Sequence, residues 1–122
     1  MAGLYYGVGR KRMAMVVRRF QIWLVSLDPT VGNEIQKTRP CVIVSPDAVN
    51  KLQGCVLVAP MQSAIRPYPF RMPTTFKRRK GQISLDQIRA IDKSRLIKKV
   101  GALPEADARA LCELLVDFFT YE

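Results

Sequence analysis

Residues 28–45, DPTVGNEIQKTRPCVIVS, lie between two apolar runs and set the architecture. The run before them, residues 20–27, stops at Asp28-Pro29. A polar stretch with one turn glycine, Gly32, follows, and a second apolar run opens directly after Arg39-Pro40. Short apolar runs bounded by Pro, Gly, Asn and Asp read as buried strands joined by a connection. Pro40 biases the residue before it toward extended backbone. The Arg39 guanidinium is thereby presented at the mouth of a strand on a stiff mount, the kind of loop–scaffold junction where functional groups concentrate. A merely solvated hairpin arginine is the competing reading of this segment taken alone.

The same punctuation continues outward. Residues 41–44 and 56–59 are near-continuous apolar runs, as expected for strands covered on both faces of a curled sheet, and Pro60 closes the second. Residues 68–72, flanked by proline, suit an edge strand. Residues 81–85, 87–91 and 96–100 read as shorter strands separated by charged turns, and residues 47–52 as a helical turn after Pro46. The last element changes period. Leu111, Leu114, Leu115 and Phe118 fall at helical spacing, while Cys112, Val116 and Phe119 widen the apolar arc. Pro104 suits the first helical position, and Glu105 and Asp107 complement the positive end of the helix dipole. The fold expected is α+β but mainly β: a small, strongly curled antiparallel sheet or barrel closed by a C-terminal helix.

A chain of 122 residues is one domain with room for a sizeable core. Twenty Lys and Arg against ten Asp and Glu give a net charge of +10, which points to a polyanionic partner. The charge is polarised. Residues 1–19 hold five basic residues and no acid, and read as a flexible basic N-terminal extension to a single domain over residues 20–122. Met13 and Met15 are alternative starts within it. Residues 66–99 carry eleven basic residues against Asp86 and Asp92, whereas residues 104–122 carry five acids and one arginine. A basic face that is simply solvated is the alternative.

There is no histidine, which excludes a Ser-His-Asp triad, a two-histidine ribonuclease mechanism and any His-containing zinc site. Cys41, Cys55 and Cys112 sit within apolar runs without C-x-x-C spacing, so they read as packing residues of a reducing compartment, the cytoplasm. No glycine-rich phosphate loop, signal h-region or membrane-length apolar stretch is present, and no cofactor or metal is expected.

Three segments, DPTVGNEIQKTRPCVIVSP, VAPMQSAIRPYPFRM (residues 58–72) and KGQISLDQIRAIDKSRL (residues 80–96), together resemble the MazF/PemK/Kid family of toxin endoribonucleases. The resemblance runs from about residue 20 to residue 103 and implies an SH3-like barrel acting as a homodimer. It also implies metal-independent cleavage of single-stranded RNA and neutralisation by a cognate antitoxin whose acidic, hydrophobic tail blocks the RNA groove. Carried over by motif, the catalytic arginine of R-P falls on Arg39 and the acid of L-D-Q on Asp86. After Pro60-Met61 the family has threonine; here Gln62 stands in its place, followed by Ser63, which can supply the hydroxyl.

RNA contacts are expected from the same segments: Asn33, Glu34 and Lys37 from the first, Arg66 and Tyr68 from the second, and Lys80, Ser84 and Gln87 from the third. Several positions keep a second reading. Asp86 is either a site group or a turn cap, Phe70 either a stacking ring or core, and residues 77–80 either a phosphate track or an exposed basic turn. Trp23 reads as core. Two other function classes remain. One is a family member that binds RNA or antitoxin with weakened cleavage, which Gln62 favours. The other is a CcdB-type gyrase poison, whose Trp-Gly-Ile tail is unlike the Phe-Thr-Tyr-Glu that ends this chain.

Overall fold

The two apolar runs that flank residues 28–45 pair with each other. In the computed structural model, which describes residues 16–122, β1 (Gln21–Ser26) and β2 (Thr38–Ile43) are antiparallel, in register from Ile22 opposite Val42 to Ser26 opposite Thr38. Residues 1–15, most of the expected basic extension, lie outside the described residues. Ile22 and Val42 enter one core cluster with Ala59, Met61, Ile83, Leu85 and Leu111. Trp23, Val25, Cys41 and Ile43 enter a second with Val17, Val56, Val58, Ile91 and Leu96. Over Ile22–Val25 and Cys41–Ile43 both faces are therefore largely covered, which is why the sequence there shows no polar alternation. Each fully buried aliphatic side chain in these clusters contributes roughly 1.5–3 kcal/mol.

The other strands are β3 (Cys55–Gln62), β4 (Arg71–Phe76), β5 (Arg79–Ser84), β6 (Arg89–Asp92) and β7 (Leu96–Ala102). All pair antiparallel in the order β4-β5-β3-β2-β1-β7, with β6 on the edge of β3. The two ends of this path come together. A Cβ on Gly101 of β7 would stand 3.0 Å from the Phe76 ring at the end of β4, so the missing side chain makes room for that ring. The expected curled antiparallel sheet is what forms, and α2 (Glu105–Phe119) lays Ala108 and Leu111 on the first core cluster with Leu114 and Leu115 beside them.

Helix α1 (Asp47–Leu52) is the helical turn read from the sequence. It is held by buried Asn50, whose amide donates to the Ser45 carbonyl at 2.9 Å while its Oδ1 accepts from the Ser45 hydroxyl at 2.5 Å.

Four local expectations are corrected. Residues 68–70 are loop, and the strand placed there runs instead over Arg71–Phe76, because β5 offers a partner from Arg71 opposite Ser84 to Phe76 opposite Arg79. Pro60 does not end β3. It falls between the β6 pairing, which stops at Val58, and the β5 pairing, which starts at Met61, where that edge of β3 has no partner strand. Residues 85–87 turn as a short 3-10 segment, so β6 begins at Arg89. Pro104 caps α2 from outside in extended backbone (ψ 153°) rather than occupying its first turn.

Candidate active site

Arg39 lies near the start of β2, opposite Val25. Its Nε donates to the Gln36 carbonyl at 3.2 Å, the one hydrogen bond its side chain makes among the described residues. Both terminal nitrogens are thus available in a half-buried setting. The β2–β3 register places Cys41 opposite Pro60 and, continued by two residues, brings Arg39 to the level of Gln62. On the other side of β3, Gln62 pairs with Gln82 of β5. This crossing is tight: a Cβ on Gly81 would approach the Gln62 carbonyl oxygen to 2.5 Å, so only glycine lets β5 come this close. Cys41, fully buried, senses the local charge. Burial pushes its thiol up to about 12, against the opposing pull of the Arg89 and Arg39 guanidiniums.

Three hydrogen-bonded links bring the predicted segments together. Gln87 Oε1 accepts from the Ile35 amide at 3.3 Å, tying the Leu85–Gln87 turn to the first loop. Gln82, 5 % exposed, grips Arg66 at both backbone groups, accepting from its N–H at 3.0 Å and donating to its carbonyl at 2.8 Å. The Leu85 amide donates to the Phe70 carbonyl at 3.1 Å. The first loop is also closed at its base: Leu27 N–H donates to Lys37 O at 3.0 Å, and Lys37 N–H to Asp28 Oδ1 at 3.1 Å. Arg95 supports it with Nη1 bonds to the Ser26 and Asp28 carbonyls at 3.1 and 2.6 Å.

The expected site residues do not all share one environment. Asn33, Lys37, Ser63, Arg66, Tyr68 and Lys80 are exposed, and Gln62 and Gln87 are half-buried. Glu34 is exposed, but Oε1 of its carboxylate accepts from the Val31 amide at 2.8 Å within the loop. Ser84 is different: it is 0 % exposed and its hydroxyl has no partner among the described residues, so it offers no surface to RNA here. It is the last residue of β5, paired with Arg71 at the open end of the β4–β5 hairpin and set between fully buried Ile83 and Leu85. Asp86 is committed to an ion pair, with Oδ1 2.7 Å from Arg71 Nε and Oδ2 2.9 Å from Arg71 Nη2. That hydrogen bonding raises the Arg71 pKa further, against the opposing effect of burial. Phe70 packs on the first core cluster and meets Phe118 edge-on at 4.9 Å, and Trp23 is core.

Sequence reading missed Gln82, Arg71, Arg89 and Arg95. Gln82 carries the one usable signal: it stands two positions from Ser84, so the two share a face of β5. Arg71, Arg89 and Arg95 were counted only as positive charge. Among the described residues no cluster of three His, Cys, Asp or Glu side chains could hold a metal ion, and no helix is long and apolar enough to cross a membrane. An open groove of about 430 Å³ between β4 and α2 has Glu113 and Asp117 in its lining, a poor seat for a phosphate backbone.

Residues 18–119 match the family model described as the PemK-like, MazF-like toxin of type II toxin–antitoxin systems. Endoribonuclease MazF9 of Mycobacterium tuberculosis is 34% identical over 110 residues, covering 82% of this chain and 93% of the relative. Endoribonuclease PemK of Escherichia coli is 38% identical over 95 residues, covering 73% and 71%. In fold, the chain superposes on the crystal structure of MazF from Deinococcus radiodurans with a TM-score of 0.75 at 23% identity, over 85% of this chain and 96% of that one. It also superposes on the MazE–MazF structure from the same organism with a TM-score of 0.70 at 20% identity, over 88% and 99%. With the family model spanning nearly the whole described chain, this protein belongs to the PemK-like, MazF-like toxins of type II toxin–antitoxin systems.

Proposed function

We propose that the chain is a metal-independent, sequence-selective endoribonuclease that cleaves single-stranded RNA in the cytoplasm, with Arg39 at the reacting phosphate. The ribose 2′-oxygen attacks the adjacent phosphorus and the P–O5′ bond breaks. The products are a 2′,3′-cyclic phosphate and a 5′-hydroxyl, whose oxygen takes up the proton released from the 2′-hydroxyl. Negative charge builds on the equatorial oxygens, and a planar guanidinium meets two of them at once. The observation that carries this reading is the half-buried Arg39 with only Nε occupied; the β2–β3 register, extended two residues past Cys41–Pro60, leads to Gln62. A group that cannot be deprotonated in a protein acts by electrostatic stabilisation, so proton transfer falls to water or a neighbouring group. Gln62 donates and accepts toward the phosphate, and Ser63 supplies the hydroxyl.

The cognate antitoxin, with an acidic and hydrophobic tail, covers the same basic surface. A homodimer completes the toxin, because Val116 and Phe119 of α2 are each 69% exposed on a helix whose other stripe already fills the core. A binding-competent member with weakened cleavage is the second reading, favoured by Gln62 in place of threonine.

Incubating the purified protein with a mixed single-stranded RNA in EDTA tests the reaction, with the ends of the fragments mapped. Cleavage is expected without added metal; activity that EDTA abolishes and magnesium restores would overturn it. Arg39→Ala should lower the single-turnover rate by about 10²-fold or more, and Arg39→Lys nearly as far, since a point charge lacks the bidentate fork. Cleavage by Arg39→Ala at the wild-type rate would overturn the placement of Arg39 at the reacting phosphate, whereas RNA bound but not cut by the wild-type chain would give the lead to the second reading. Gln62→Thr should raise the rate, or leave it unchanged if Ser63 already serves, which Ser63→Ala distinguishes.

A further inference from the structure

The loop between β3 and β4 carries an exposed aromatic ring on an unusually fixed support. Tyr68 is 52% exposed. Two residues before it, Arg66 is gripped by buried Gln82 through two hydrogen bonds; two residues after it, the Phe70 carbonyl accepts from the Leu85 amide. Phe70 itself takes a left-handed backbone, φ 61°, where the loop turns into β4. Between these anchors the Arg71 guanidinium lies over the Tyr68 ring, with its carbon 4.9 Å from the centroid. The guanidinium is in turn fixed from its far edge by both oxygens of Asp86, and the Arg71 side chain is only 6% exposed. The order is carboxylate, guanidinium, phenol, solvent.

An aromatic ring half open to water gains only part of the stability that full burial would give, while its contact with a largely desolvated guanidinium holds it in place. What it does provide is a flat π-surface whose ordering is complete before a ligand arrives, the arrangement that makes stacking effective. Among nucleic-acid components the ligand for such a surface is a splayed base, and single strands are where bases are free to leave the stack. The ring shares its loop with Ser63 and Arg66, downstream of Gln62 in sequence.

We propose that Tyr68 is the stacking platform for one unpaired base next to the scissile phosphate, and that Asp86 and Arg71 are its positioning residues. Asp86 then acts through Arg71 on base recognition rather than at the reacting phosphorus. The assignment rests on the endoribonuclease reading above and adds to it which nucleotide-recognising surface sets sequence preference. Arg71 presents its buried fork to a carboxylate of its own chain, not to RNA, so it contributes to affinity through the ring.

The test uses a single-stranded RNA 12-mer containing the site mapped in the wild-type digest, with 2-aminopurine replacing one base at a time around the cleaved bond. Binding is followed by fluorescence in the Arg39→Ala background, so that the RNA stays intact. Quenching is expected at one position only, retained by Tyr68→Phe, lost in Tyr68→Ala and weakened in Arg71→Met and Asp86→Asn. In the chain that keeps Arg39, Tyr68→Ala should raise KM by about 5- to 150-fold, the range found when a base-stacking aromatic is removed. Asp86→Asn should likewise act more on KM than on the saturating single-turnover rate. RNA that binds without position-specific quenching, or quenching that survives Tyr68→Ala, overturns the platform while leaving the ribonuclease in place. An Asp86→Asn loss of about 10²-fold or more in the saturating rate at unchanged KM returns Asp86 to the chemical step and overturns its positioning role. If the wild-type chain neither binds nor cleaves RNA, the endoribonuclease reading fails first and this one with it.

Discussion

Arg39 and Arg71 carry the same guanidinium and do opposite work. Arg39 leaves its terminal nitrogens open, whereas Arg71 spends its fork on Asp86. The difference follows from position: Arg39 precedes a proline at a strand mouth, while Arg71 opens a strand beside the Leu85–Gln87 turn, which holds a carboxylate within reach. Cys41 gives this region a measurable signature. Its thiol is raised from 9.0 to about 12 by burial, so between those pH values the unfolded chain releases a proton that the folded chain keeps. The folded state then binds more protons, and stability falls as pH rises, by up to about 1.4 kcal/mol per pH unit from this group. Chemical denaturation from pH 8 to 11 should show a shallower decline in Cys41→Ala than in the parent chain. An identical slope in both would mean that the thiol titrates normally.

The β4–β5 hairpin is closed by two residues, Lys77 and Arg78, both in left-handed backbone at φ 51° and 67°. That is the type I′ geometry a two-residue hairpin needs, but it is usually built from Asn-Gly, because glycine has no Cβ to clash and the short Asn amide bonds locally, advantages that Lys and Arg lack. The basic turn expected from the sequence is therefore present at a conformational cost. Replacing the pair by Lys77→Asn/Arg78→Gly should stabilise the fold by about 1 kcal/mol and raise Tm by a few degrees. A lowered Tm in thermal unfolding would show that the cation–π contact of Lys77 with Phe76, at 5.6 Å, outweighs the backbone strain.

At the scale of the molecule, the basic excess divides into two kinds of charge. Arg71, Arg89, Arg95 and Lys93 are turned inward, onto Asp86 or onto the backbone carbonyls of Leu27, Ser26, Asp28 and Asn50. Arg66, residues 77–80, Lys98 and Lys99 remain exposed. The hairpin tip and β7 meet where Phe76 covers Gly101, so most of the free cations sit on neighbouring segments. The α2 helix shows the complementary imbalance, with Val116 and Phe119 bare beside acidic Glu113 and Asp117. Light scattering at micromolar concentration should report a dimer, and Val116→Glu/Phe119→Glu should convert it to monomer. A wild-type monomer would refute the role given to this helix face.

The strand-forming runs, the terminal helix and the Arg39-Pro40 mount are written in local chemistry: apolar periodicity, proline and turn glycine act over a few residues, and they appear in the structure at or near their expected places. The three motif segments were legible for the same reason. Which carboxylate meets which cation was not. Asp86 and Arg71 are fifteen residues apart, and Gln82 and Arg66 sixteen; a pairing register selects those partners, while the sequence shows only that charged and polar groups exist. Ser84 illustrates the same limit. Its motif placed it with the RNA contacts, yet the β4–β5 pairing opposite Arg71 leaves it without exposed surface. Burial belongs to the packed sheet, because it depends on what the far strands bring to each face, and no window of neighbouring residues contains that information.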